Sequence, residues 1–111
     1  MAMRDEFTKA ERHVLHELSG EVYEAETAEV LESLAQDIDA WRAGRILPSE
    51  LLERVHEFDR NDAKNHWLAY QHLRPPDIVA RGVVIGQIAE NKLPHELLVK
   101  LRARIEAHRR S

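Results

Sequence analysis

The sequence predicts an all-α protein, a helical bundle of four or five helices with a long N-terminal helix. Apolar residues recur at steps of three and four through most of the chain, which is the period of one helix face. Two Leu-Pro corners and one Pro-Pro pair mark the starts of helices. We place the helices at residues 5–43, 48–60, 62–73, 76–90 and 94–109, within a single domain over residues 1–111.

The first helix takes its apolar stripe from Phe7 to Trp41, with Gly20 inside it. A glycine in a helix interior costs about 1 kcal/mol relative to alanine, which packing of the stripe can offset. At 1.5 Å per residue this helix is about 50 Å long, more than a compact monomer of this size needs. We therefore expect part of the stripe to contact a protein partner, first of all a second subunit in a homodimer. The expected contact residues are Phe7, Val14, Leu18, Val22 and Leu31.

Gly44 and Pro48 form the corner after the first helix, because glycine suits the left-handed position beyond a helix end and proline suits a first turn. A similar corner returns at Pro94, and Glu50 and Glu96 each follow their proline by two residues. At that position a carboxylate lies near the unpaired backbone amides of the first helical turn, which stabilises the start of the helix. Turn chemistry alone explains the likeness of the two corners.

The second helix leads into the stretch from Glu53 to Trp67, for which the sequence supports two interpretations. If one helix continues to Leu73, Asp62 and His66 lie on the inward face, with Asp59 at its edge. Such a carboxylate and imidazole would have to pair or share a metal. If instead the helix stops near Arg60, Asn61 or Asp62 caps a new one. We prefer the break, and keep His56, Asp59, Asp62 and His66 as the candidate metal or acid/base set.

The fourth helix, after Pro76, carries apolar residues around most of its circumference, which predicts that it is the central, most buried helix. Gly82 and Gly86, four residues apart, would let another backbone approach closely. The fifth helix is basic: residues 92–111 hold six Lys and Arg against two Glu, whereas residues 21–40 hold seven acidic residues and no Lys or Arg. We expect these opposite charges to pair within the molecule or between subunits.

Composition and motifs exclude several classes of function. A chain of 111 residues without cysteine has no disulfide scaffold, thiol nucleophile or thiolate metal site, and a cytoplasmic location follows as the default. No window approaches the roughly 20 apolar residues of a membrane span. No phosphate-binding loop, nucleophile elbow or H-E-x-x-H motif occurs, and no cofactor is implied. The only residues that could support nucleic-acid binding are C-terminal arginines without interleaved aromatic residues. They are Arg102, Arg104, Arg109 and Arg110.

The segments "AWRAGRILPSELLERVHEFDRNDAKNHWLAY" and "IVARGVVIGQIAENKLPHELLVKL" resemble a group of short, uncharacterised all-helical bacterial proteins over residues 38–101. The shared pattern is a Val-His-x-Phe segment, a tyrosine about a dozen residues later and a second Leu-Pro corner. Asp59-Arg60-Asn61 stands where that pattern has His-Gly or Asp-Gly, which weakens any transfer of a role to His56. The resemblance implies a bacterial cytoplasmic protein and brings no activity with it.

The function expected from these observations is that of a small adaptor or regulatory module acting through helix-helix association. The over-long first helix, the segregated charge and the lack of a catalytic motif favour it. The alternative is a small metal-dependent or acid/base enzyme using His56, Asp59, Asp62 and His66.

Overall fold

The computed structural model describes residues 6–110, which form helices and connecting turns without a β-strand. The predicted all-α class with a long N-terminal helix is confirmed. The helices are α1 Lys9–Arg42, α2 Pro48–Glu57, α3 Lys64–Gln71, α4 Pro75–Val84 and α5 His95–Arg110. A π-helical segment, Phe58–Ala63, joins α2 to α3, and a 3₁₀ turn, Glu90–Lys92, precedes α5. No helix in the described part of the chain is both long and apolar enough to span a membrane.

Packing divides the chain into two compact units, so the single domain expected over residues 1–111 contains two units. The core unit comprises Met1–Glu24 and Arg74–Ser111, and the hairpin unit comprises Ala25–Leu73. Helix α1 contributes its first part to the core unit and the rest to the hairpin unit.

The core unit encloses the buried apolar side chains of the described residues. Helix α4 is the most buried helix, as predicted, with Val79 and Ala80 fully covered. Gly82 in α4 lies so close to α1 that an added Cβ would be 2.6 Å from Val22 Cγ2. The core residues are Phe7, Leu15, Leu18, Val22, Ile78, Val79, Ala80, Val83, Ile88, Leu93, Leu97, Leu101 and Ile105.

Helix α4 ends at Val84 and does not reach residue 90, which corrects the predicted boundary. Gly86 takes a left-handed conformation with φ of 83°, and its amide donates to the Val83 carbonyl. The expectation of close approach at both glycines therefore holds for Gly82 alone. Gly86 has open space around it, and its role is to turn the chain.

The start of α1 is fixed by a capping box and a partly buried ion pair. The Thr8 amide donates to Glu11 Oε1 at 2.8 Å, and the Glu11 amide donates to Thr8 Oγ1 at 3.1 Å. Lys100 Nζ from α5 bonds to the same Glu11 oxygen at 2.6 Å, and Glu11 is buried. The bond from Lys100, and then that from the Thr8 amide, lower the pKa of the Glu11 carboxyl.

Gly44 ends α1 as predicted, with φ of 76°. Its amide donates to the Trp41 carbonyl and the Arg45 amide to the Ala40 carbonyl, the two bonds of a Schellman motif. Helix α2 then begins at Pro48, and the Glu50 carboxylate accepts a hydrogen bond from the Leu47 amide at 3.3 Å. This corner reverses the chain and makes a helical hairpin.

The predicted break after Arg60 is wrong, because the backbone stays helical from Pro48 to Gln71. The φ and ψ angles are −58° and −47° at Phe58 and −66° and −44° at Ala63. Neither Asn61 nor Asp62 caps a new helix, since both lie inside the π-helical segment. The weak helix formers of this stretch widen one turn without ending the helix.

Candidate protein-association surface

Two polar contacts join the antiparallel arms of the hairpin unit. Near its open end, Thr27 Oγ1 and His66 Nε2 are 2.8 Å apart. Nearer the corner, Arg54 Nη1 donates to Asp37 Oδ1 at 2.7 Å. These contacts fix which residues of α1 lie level with which residues of the second arm.

The π-helical segment decides which side chains of the second arm face α1. Its wider turn contains about one extra residue, which rotates everything beyond it by about 100° relative to a regular helix. Asp62 leaves the inward stripe on which a regular helix would place it and is exposed. His66 stays half-buried against Thr27, and its ring contacts Tyr70 edge to face at 5.3 Å. The inward Asp62/His66 pair considered from the sequence therefore does not form.

The candidate metal or acid/base residues are dispersed along the hairpin. His56, Asp59 and Asp62 are exposed, whereas His66 is bonded to Thr27. Within residues 6–110, no three His, Asp or Glu side chains are grouped so that they could hold a metal ion. The predicted set thus has the right residue types without the geometry of a site.

One side of the hairpin carries a shallow polar cavity of about 310 Å³. The Asp37–Arg54 ion pair spans it, which balances two of its charges. Its other lining residues are Ser33, Glu57, Phe58, Asn61 and Asp62. The cavity is open to solvent and has no apolar floor apart from Phe58, so it lacks the enclosed, largely apolar character of a ligand site.

The other side of the hairpin carries several exposed apolar side chains. Helix α1 turns by about 100° per residue, so Leu31 lies about 60° around the helix axis from the half-buried Leu34. On the second arm, Val55 and Leu52 lie about 40° and 100° around the axis from Leu51, in the same direction of rotation. The π segment brings Trp67 to about 60° from Leu51. Because the arms are antiparallel, the same sense of rotation leads to the same side of the hairpin. Asp37 and Arg54, which form an ion pair on the polar side, lie in the opposite direction of rotation from Leu34 and Leu51.

We name this surface the uncovered face and define it by Leu31, Leu52, Val55 and Trp67. Their exposed fractions are 47%, 60%, 38% and 56%, values that are high for large apolar side chains. Trp41, Leu47 and Leu68 add further exposed apolar area elsewhere on the hairpin. Two neighbouring helices with exposed apolar side chains on one side resemble half of a helical bundle, in which further helices would cover that side.

The five residues expected to contact a partner divide between the two units. Phe7, Leu18 and Val22 are buried by the protein's own core, and Val14 is half-buried. Only Leu31 is exposed, and it lies on the uncovered face. The apolar stripe of α1 thus belongs to the chain's own core in its first half and reaches an open surface only in its second.

The basic candidates of α5 have carboxylate partners close by. Arg104 forms ion pairs with Glu6 at 3.3 Å and with Asp77 at 3.4 Å, and its guanidinium lies 5.5 Å from the centre of the Phe7 ring. Arg109 pairs with Glu106 at 2.9 Å, whereas Arg102 and Arg110 are exposed. Two of the four cations thus already interact with acidic groups, which weakens the pattern as a phosphate-binding stripe.

Sequence reasoning missed Leu52 and Trp67, the two most exposed members of the uncovered face. A regular helix would turn Trp67 about 160° away from Leu51, and the π segment brings it back to about 60°. It also missed the bond between Glu11 and Lys100, although the spacing of Thr8 and Glu11 is a capping-box signal visible in the sequence.

Comparisons with known proteins leave the function to be argued from this geometry. No protein-family model matches the chain, and no similar protein was found among the curated proteins or the solved structures.

Proposed function

We propose that this protein is a small helical association module, an adaptor or regulatory protein, whose hairpin unit docks helices of a protein partner on its uncovered face. One observation carries the proposal. No apolar residue between 25 and 73, all of which the structure describes, is buried, whereas the core unit contains thirteen such residues. The hairpin also holds seven of the nine large apolar residues that are exposed in the described chain.

A hairpin of this kind gains little stability from its own packing. Most of the stability of a protein helix comes from burial of its apolar face, and two helices alone bury that face on one side only. Contiguous exposed apolar surface in a protein of this size marks an interaction site more often than an accident of sequence. Covering the uncovered face would give the hairpin the buried core that it lacks.

The hairpin has the surface chemistry of an association site more than that of an enzyme. Its polar side chains pair with each other, as Asp37 does with Arg54 and Thr27 with His66. Its exposed apolar side chains, by contrast, have no cover. Aromatic anchors such as Trp67 are the residues on which protein interfaces most depend. The absence of cysteine fits a module that works in a reducing compartment such as the cytoplasm.

Site-specific photo-crosslinking in the cells that produce the protein tests the proposal. A photoreactive amino acid replaces Leu52 or Trp67 on the uncovered face, and a matched pair of variants carries it at the exposed positions Glu53 or Glu57. We expect a discrete protein adduct from positions 52 and 67 and none from 53 and 57. Equal labelling at all four positions, or no adduct at any, contradicts docking on this face.

A further inference from the structure

We infer that the core unit binds a small organic monoanion, a single acid group carried on an apolar body, in a cavity bordered by the starts of α1 and α4 and by α5. The inference goes beyond the proposed function and does not rest on it, because the cavity belongs to the core unit and the uncovered face to the hairpin unit. It is carried by the lining of the cavity, which joins an apolar wall to an excess of positive charge.

The cavity has the size and the wall of a small-molecule site. Its volume is about 880 Å³, compared with about 310 Å³ for the polar cavity of the hairpin unit. Sites for small organic ligands usually measure about 300–1,000 Å³ and have mainly apolar walls. The apolar part of this lining consists of Phe7, Leu15, Pro75 and Pro76. Phe7 and Leu15 are buried members of the core, so the packing of the whole unit holds that wall in place.

Positive charge exceeds negative charge in the lining. Three arginines, Arg12, Arg74 and Arg104, border the cavity together with two carboxylates, Glu6 and Asp77. Arg104 pairs with both carboxylates, at 3.3 Å to Glu6 and at 3.4 Å to Asp77. Three positive groups against two negative ones leave a net charge of +1, with histidine counted as neutral. A ligand with one negative charge would balance it.

Arg74 is the cation that the core unit leaves available. Its side chain is exposed and forms no hydrogen bond or ion pair with another of residues 6–110. Its backbone is extended, with φ of −96° and ψ of 158°, because a residue that precedes proline is restricted to this region. Arg74 thus combines a fixed backbone with a free guanidinium, whose N–H donors fit two oxygens of a carboxylate or sulfonate.

The stability of α4 does not explain an arginine at this position. Arg74 is the N-cap of α4, where Ser, Thr, Asp and Asn are preferred and where the helix dipole disfavours a cation. The helix terminus itself offers little to an anion, since Pro75 and Pro76 have no amide hydrogen and the Asp77 amide donates to the Arg74 carbonyl at 2.9 Å. Side chains must therefore bind the acid group. Its charge would offset the unfavourable charge of Arg74.

Arg12 and His16 lie one turn apart on α1 and border the same cavity. Arg12 Nη1 donates to the Phe7 carbonyl at 2.9 Å, which positions the guanidinium without neutralising its charge. His16 is exposed, and its ring nitrogens bond to no other residue of the described chain. Arg74 is thus the principal binding residue for the acid group, and α1 supplies further donors to the same cavity. The ligand class is an aromatic or aliphatic carboxylate or sulfonate.

Fluorescence titration of the purified full-length protein with anilinonaphthalene sulfonate tests the site. This probe is an aromatic monoanion that becomes fluorescent when it leaves water, and phenylnaphthylamine is the same ring system without the sulfonate. We expect Arg74→Gln to weaken binding of the sulfonate probe at least about tenfold, which corresponds to about 1.4 kcal/mol. The same variant should bind the neutral probe within about twofold of the wild type, because only the acid group contacts Arg74.

Arg102→Gln is the matched control, because Arg102 is an exposed arginine of α5 that does not line the cavity. It removes the same charge and should leave the affinity for the sulfonate probe within about twofold of the wild type. Trp67→Ala controls for binding of the probe to the hairpin unit, and it should leave the Arg74-dependent binding unchanged. Thermal unfolding of Arg74→Gln should coincide with that of the wild type, since the Arg74 side chain makes no bond within residues 6–110.

Three results would overturn the inference: no saturable binding of the sulfonate probe to the wild type, an equal loss of affinity in Arg74→Gln and Arg102→Gln, or an equal loss for both probes in Arg74→Gln. Loss of sulfonate binding in Trp67→Ala and not in Arg74→Gln would place the probe on the hairpin unit and overturn the cavity as its site. None of these results changes the outcome expected for crosslinking at positions 52 and 67, so the two proposals stand or fall separately.

Discussion

Replacing Trp67 by alanine gives the strongest test of whether the uncovered face is a working interface. Trp67 is 56% exposed, and a tryptophan buries up to about 250 Å². A docked partner could therefore bury about 140 Å² of its surface. At about 25 cal/mol per Å², covering this area is worth up to about 3.5 kcal/mol of binding free energy.

We expect Trp67→Ala to weaken docking of the partner on the uncovered face at least about 100-fold, which corresponds to about 3 kcal/mol and allows for incomplete burial. The free energy of unfolding of the isolated chain at high dilution should change by less than about 1 kcal/mol, because the side chain is already exposed there and alanine favours the helix. The yield of the crosslinked adduct from a photoreactive amino acid at position 52 measures the first quantity, and urea denaturation at the lowest workable concentration measures the second.

The neighbouring Leu68 provides the matched control. It is 43% exposed, yet it lies about 100° further round the rod, away from both α1 and the uncovered face. Leu68→Ala should leave the yield of the adduct from position 52 within about threefold of the wild type, since surface changes outside an interface cost little. If Trp67→Ala associates as the wild type does, or if both variants weaken association equally, exposure of apolar area does not identify the interface.

Three further predictions concern the fold that presents this surface. Gly82→Ala should destabilise the protein by about 1–3 kcal/mol in thermal or urea unfolding, because the new Cβ would lie 2.6 Å from Val22 Cγ2, whereas Gly20→Ala, with nothing within 4 Å, should stabilise it by up to about 1 kcal/mol; equal effects would contradict close approach at Gly82. Because the folded-state pKa of Glu11 is lowered, its contribution to stability is present above the ordinary carboxyl pKa of 4.5 and is lost as pH falls through the folded-state value. The stability advantage of the wild type over Glu11→Gln should therefore be full at neutral pH and shrink in acid, and a difference that is the same at about pH 7 and about pH 3 would refute this. In a double-mutant cycle of Thr27→Val and His66→Ala, urea unfolding should give a coupling of about 0.5–1.5 kcal/mol for the bond between the arms of the hairpin, and additive losses would show that the 2.8 Å contact contributes nothing.

The pH window for Glu11 follows from its surroundings. Protonation removes the charge that Lys100 and the Thr8 amide bind in the folded state, and the unfolded carboxyl takes up its proton at a higher pH. Between those two pKa values, acidification shifts the equilibrium towards the unfolded chain. Lys100→Met should abolish much of this pH dependence, because Lys100 is its largest cause.

Much of the fold could be read from local chemistry. The period of the apolar residues predicted the helices, and Gly44 with Pro48 predicted the corner of the hairpin, because φ preferences and missing amide hydrogens act within a few residues. The circumferential apolar pattern of α4 likewise predicted its burial. These properties depend on neighbours in the sequence, so the sequence displays them.

The candidate site could not be read in the same way. Whether Trp67 lies about 160° or about 60° from Leu51 depends on whether the intervening turn holds one residue more than a regular helix, and the composition of residues 58–63 predicted a break there. Equally, the stripe of α1 is one continuous pattern, yet Val22 is buried and Leu31 is exposed. Periodicity shows that a face is apolar and is silent on what covers it.

The sequence by itself determined that this protein is built of amphipathic helices, where its corners fall and which helix is most apolar, since hydrogen bonding and helix period are local. Only the tertiary structure decided which apolar faces are covered, that Asp62 is exposed while His66 is bonded to Thr27, and that Leu31, Leu52, Val55 and Trp67 are exposed. Those outcomes depend on contacts between residues far apart in the chain and on a single widened turn whose rotation is transmitted along the rest of the rod.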